Sequence, residues 1–109
     1  MTLENNRYTY RVTWSDDDGE YLGLCAEFPG LSWLAKSPES ALKGILKVVA
    51  DVVRDMRRRR EPIPQPLSCK NYSGKFVVRV PPHTHRRLAI EAAEAGVSLN
   101  RLASAKLNQ

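Results

Sequence analysis

The sequence has little sulfur chemistry to offer. Its two cysteines, Cys25 and Cys69, lie far apart and have no metal-ligand company. A disulfide framework and a structural metal are therefore not expected, and two reduced thiols of a cytoplasmic protein are. No apolar run approaches the roughly 18 residues that suggest a membrane span. The first residues, 1–6, lack the pattern of a signal peptide, so the expected location is cytoplasmic. The two histidines, His83 and His85, are two positions apart and would not share a helix face, which argues against a metal pair. No internal repeat occurs.

Carboxylates for catalysis are also missing in the required arrangement. Asp16, Asp17, Asp18 and Glu20 crowd one turn, where neighbouring side chains point in different directions. A two-metal nuclease site needs carboxylates converging from separate elements. Of the strand-borne acids only Glu27 could join them. No enzyme, cofactor or metal is expected. Two readings of the acidic turn stay open: a solvated hairpin tip, or a patch that faces a basic partner protein.

The 109 residues carry a net charge of +5, unevenly spread. Residues 1–53 hold 5 basic and 8 acidic side chains, a balance of −3. Residues 54–60, RDMRRRR, contribute +4, and residues 73–109 contribute another +4. An acidic front and a basic back suggest two tasks and two kinds of partner.

The front reads as three strands and a helix. Tyr8 to Trp14 alternates, with Tyr8, Tyr10, Val12 and Trp14 on one face. Asp18-Gly19 is a hairpin cue. Glu20 to Phe28 reads as a second strand, with Leu22, Leu24, Ala26 and Phe28 on one face, and Leu31 to Lys36 as a third. Ser37-Pro38-Glu39 opens a long helix with a cap, a first-position proline and an acid near the positive dipole end. Its apolar positions from Ala41 to Met56 recur at helical spacing, and it ends in Arg57 to Arg60. This predicts an α+β unit, βββα, over residues 1–60, with one sheet face covered by the helix. Residues 61–72 contain three prolines in EPIPQP and read as a linker.

Residues 73–109 read as one strand and two helices. In Lys75 to Val80, Lys75, Val77 and Arg79 alternate with Phe76, Val78 and Val80. Pro81-Pro82 stops the strand and starts a helix that runs to about Ala95, where Gly96 supplies a left-handed stop. Ser98 caps a second helix with Leu99, Leu102, Ala103 and Leu107. Such a unit is too small to bury a core alone, and a lone strand has two bare edges. The economical solution is a homodimer, or a higher even oligomer, with Phe76, Val78, Val80, Leu88, Leu99 and Leu102 at its core. This order resembles the ribbon-helix-helix DNA-binding fold, whose paired strands enter the major groove of operator duplex.

On that resemblance Lys75, Val77 and Arg79 would read bases, since Lys and Arg can pair with guanine and Val can touch a thymine methyl. The competing reading is a solvated edge strand whose lysine discourages aggregation. Ser98, Leu99, Asn100 and Arg101 open the second helix and could hold a phosphate. Simple capping by Ser98 is the other reading, and the two are compatible. Arg57 to Arg60 read equally as phosphate contacts or as a solvated helix end.

Taken together, the YTYRVTW strand, the acidic turn, EYLGLCAEFPGL, the SPESAL helix opening, the EPIPQP stretch and the C-terminal unit resemble the HicB family of antitoxins. The resemblance covers residues 8–109. It implies a truncated RNase H-like N-terminal domain that binds and blocks a HicA-like, mRNA-cleaving toxin, with Asp16, Asp17, Asp18 and Glu20 as toxin-facing candidates. It implies a C-terminal domain that represses the chain's own operon. A stand-alone ribbon-helix-helix regulator without a toxin is the alternative.

Overall fold

The computed structural model describes residues 3–109, with side chains from Asn5 onward. The chain divides between Tyr72 and Ser73 into two compact units.

The first unit opens with a short 3-10 helix, Leu3–Arg7, followed by strands β1 (Tyr10–Ser15), β2 (Glu20–Cys25) and β3 (Ser32–Ala35) and helix α1 (Pro38–Arg58). The strands form an antiparallel meander in the order β1-β2-β3. Tyr10 lies opposite Cys25, Ser15 opposite Glu20, and Gly23 opposite Trp33. The turn between β1 and β2 closes with Gly19 at φ 64°, and its amide donates to the Ser15 carbonyl at 2.9 Å.

Helix α1 starts as its sequence dictates. Ser37 Oγ accepts from the Ser40 amide at 3.1 Å, Pro38 occupies the first turn, and Glu39 lies at the positive dipole end. Its other end is closed by Arg60 at φ 57°, a left-handed position more often held by glycine, with the Glu61 amide donating to the Met56 carbonyl. Ala41, Ile45, Val49 and Val53, spaced by four, are buried against the sheet. Close approach requires two glycines. A Cβ on Gly23 would stand 2.5 Å from the Ala41 carbonyl oxygen, and one on Gly44 would meet the Trp33 ring. The core joins Tyr8, Cys25, Phe28, Ile45, Val49 and Val53, with Tyr8 and Phe28 in edge-to-face contact at 5.2 Å.

Each strand is shorter than its alternation predicts. Tyr8 lies before β1 because its ring turns into the core and its hydroxyl donates to the Pro64 carbonyl at 2.7 Å. β2 stops at Cys25 because Phe28 and Leu31 enter tight turns, their amides donating to Cys25 and Phe28 carbonyls. Gly23 and Cys25 face α1, so Leu22 and Leu24 lie on the opposite face, where both are half-buried. The stretch 61–72, expected as a linker, is fastened to the first unit. Ile63 packs on the core, the Leu67 amide donates to Glu27 at 2.9 Å, and Ser68 Oγ donates to the Arg7 carbonyl at 2.7 Å.

The second unit holds helices α2 (Pro82–Ala95) and α3 (Leu99–Leu107). Residues 75–80 form no strand in the single chain, contrary to expectation. The physical reason is that a strand is defined by pairing, and within the chain this segment finds no partner.

Candidate nucleic-acid interface

A turn stands just before residue 75. Gly74 turns the chain at φ 85°, and Ser73 Oγ accepts from the Lys75 amide at 3.1 Å. From there the polar and apolar members of the alternation are all exposed. Lys75 and Arg79 reach solvent, Val77 is 88% exposed, and the expected core residues Phe76, Val78 and Val80 are 73%, 59% and 42% exposed. The dimer core anticipated at these three positions is thus open in the single chain. Leu88, Leu99 and Leu102 are only half-buried, and Ala92 is the single fully covered apolar side chain of the unit.

The two helices are held to each other locally. Gly96 takes the left-handed conformation at φ 69°, and the amides of Gly96 and Val97 close onto the carbonyls of α2's last turn. Lys106 on α3 pairs with Glu91 on α2 at 3.2 Å, an exposed pair of the kind that contributes little. Ser98 caps α3, its Oγ accepting from the Arg101 amide at 3.0 Å. The cap therefore occupies one of the amides that could meet a phosphate. Leu99 and Asn100 retain theirs as the open donors of the first turn, beside the exposed Arg101 side chain. Ser98, Leu99, Asn100 and Arg101 come together at this terminus. α2 has no such side-chain cap, because Pro81 precedes it.

The acidic turn is knit internally. Ser15 Oγ donates to Asp18 at 2.8 Å, and Trp14 Nε1 donates to Asp16 at 3.1 Å. Asp16, Asp17 and Asp18 are exposed, and Glu20 is half-buried. Among the described residues no group of three or more His, Cys, Asp or Glu side chains could hold a metal ion. No described helix is long and apolar enough to cross a membrane.

Glu27 has a role its sequence position does not announce. Its carboxylate accepts from the amides of Thr9 and Leu67, both at 2.9 Å, and from the Thr9 hydroxyl at 3.1 Å. Partial burial pushes its pKa up, but these donors outweigh that effect and hold it below the ordinary range. Burial chiefly raises Tyr10 and Cys25 as well, helped at Tyr10 by neighbouring negative charge and at Cys25 by the hydrogen bond to the Glu27 carboxylate and its charge, against the lowering effect of backbone amides. Such a carboxylate is an anchor for 61–72 rather than a proton donor.

No curated protein and no solved structure matches the chain significantly. A family model described as the HicB family matches residues 60–107, which take in the end of the first unit and nearly all of the second.

Proposed function

We propose that this chain is the antitoxin of a type II toxin–antitoxin system. In this reading two copies pair their 75–80 segments antiparallel and bury Phe76, Val78 and Val80 over Leu88, Leu99 and Leu102. The opposite face of the ribbon presents Lys75, Val77 and Arg79 to the major groove of operator DNA, while the α3 terminus at Ser98–Arg101 holds a phosphate. The βββα unit, read as a truncated RNase H-like domain, occludes a HicA-like ribonuclease. It performs no catalysis itself.

The observation that carries the reading is the open apolar row Phe76, Val78 and Val80, next to two helices with half-buried leucines. A contiguous exposed apolar row on unpaired backbone is a surface made to be covered. The similarity to the HicB family suggests a toxin–antitoxin role for what it covers. One observation favours a second reading. The family match leaves out the sheet and all of α1, so a regulator without a toxin fits residues 60–107 equally well.

Co-expression of the chain with the small reading frames beside its gene, followed by affinity capture, separates the two. A basic ribonuclease should co-purify, and its growth arrest should be relieved by the chain. Capture of no such protein, together with specific operator binding, would leave the regulator alone.

A further inference from the structure

The charges of the first unit are segregated in a way their sum conceals. Three of the five aspartates crowd the β1–β2 turn, whereas Lys43, Lys47, Arg54 and Arg57 lie along α1, which also carries Asp51 and Asp55. At 3.6 residues per turn these four positions fall on one narrow side of the helix, together with Ala50. They rim a shallow depression floored by Leu46, Ala50 and Val53. Asp51 is the one acid at its edge, and it is taken by Arg54 at 2.9 Å.

An ordinary solvated helix face intersperses both signs and places unlike charges one turn apart. Here four cations share one side and a single acid, Asp51, stands at its edge, one turn after Lys47 and paired with Arg54. Lys43 and Lys47 are like charges at i, i+4, an unfavourable pairing. Glu39 stands one turn before Lys43, yet among the described residues neither lysine has an ion-pair partner. Arg58 at the last position of α1 and Arg59 and Arg60 after it prolong the positive charge, and all three are exposed, with Arg59 3.9 Å from Glu61.

We propose, building on the DNA-binding role above, that this flank of α1 is a second, sequence-independent contact for the sugar–phosphate backbone of duplex DNA. From Lys43 to Arg57 the helix advances about 21 Å at 1.5 Å per residue. Over that length one DNA strand carries about six phosphates. A duplex supplies such a line of negative charge whatever its sequence, whereas a protein partner would need several carboxylates in matching register. The flank adds affinity and salt dependence, and leaves the choice of sequence to the second unit.

The test uses the full chain with Lys43→Gln and Lys47→Gln combined. Binding is followed by fluorescence anisotropy across a salt series. The probes are the duplex upstream of the gene and a scrambled duplex, each about 30 bp to hold two half-sites a helical turn apart. The plot of log affinity against log salt should become shallower by about 0.9 for each phosphate that the variant no longer neutralises, hence by up to about 4 for two lysines in each of two copies. The ratio of operator to scrambled affinity should stay that of the wild type, and so should the melting temperature, because both side chains are exposed. An unchanged slope overturns the assignment. If the slope is unchanged but an adjacent-frame protein no longer co-purifies, the flank docks a protein instead. A wild-type chain that binds neither duplex at any salt removes the DNA-binding role itself, whereas wild-type binding with an unaltered variant slope removes only this surface.

Discussion

Phe76→Ala separates a single chain from a paired one by magnitude. In the single chain the side chain is 73% exposed, so only about a quarter of its area is covered. Full burial of a phenylalanine is worth roughly 1.5–3 kcal/mol, which makes truncation there cost less than about 1 kcal/mol. Buried across the axis of a paired ribbon, the same truncation should cost about 3–5 kcal/mol per copy. Even the smaller of these figures would weaken the dimer more than a hundredfold, at about 1.4 kcal/mol per factor of ten. Urea unfolding at two protein concentrations, with sedimentation velocity beside it, reads the difference. The wild-type midpoint for the second unit should rise with protein concentration, as for any dimer coupled to folding. The variant should lose that dependence and sediment as a monomer. A variant that stays dimeric with an unchanged midpoint would refute the paired ribbon.

Two further expectations concern the first unit. Gly23→Ala places a Cβ 2.5 Å from the Ala41 backbone carbonyl and 3.0 Å from Ile45, so the helix must move; it should destabilise the unit by about 1–3 kcal/mol, and a melting temperature equal to the wild type would show that α1 does not sit this close. Glu27 is held below its ordinary value of 4.5, so the stability it adds is complete above that value and is lost as pH falls through the lower folded value. The Thr9 and Leu67 amide resonances should therefore titrate together below pH 4.5 and cease to do so in Glu27→Gln; separate titration would break the proposed anchor.

What can be read from the sequence is what residues decide locally. Ser37-Pro38-Glu39, Gly96 and Ser98 mark their helix ends because caps and left-handed stops involve neighbours only, and α2 spans Pro82–Ala95 as expected. Strand ends are less legible, since Tyr8 and Phe28 continue the alternation but serve the core. The 61–72 stretch reads as a linker because its fasteners, Tyr8 and Glu27, are distant in sequence. Lys43 and Lys47 do not stand out, because averaging over 1–53 gives that stretch an acidic sign. The 75–80 alternation is plain, yet its strand needs a partner the chain does not contain.

Arg79→Ala tests the central claim most directly, that the polar face of the 75–80 segment reads bases. Affinity is measured for the wild type, Arg79→Ala and Arg101→Ala against the upstream duplex and a scrambled one at two salt concentrations. Arg79→Ala should lose about 1–3 kcal/mol on the upstream duplex alone and relax preference at one base pair in each half-site of an inverted repeat. Arg101→Ala should weaken binding to both duplexes and flatten the salt dependence. An Arg79→Ala chain that binds both duplexes as tightly as the wild type would contradict the claim, because the segment would then lie outside the groove.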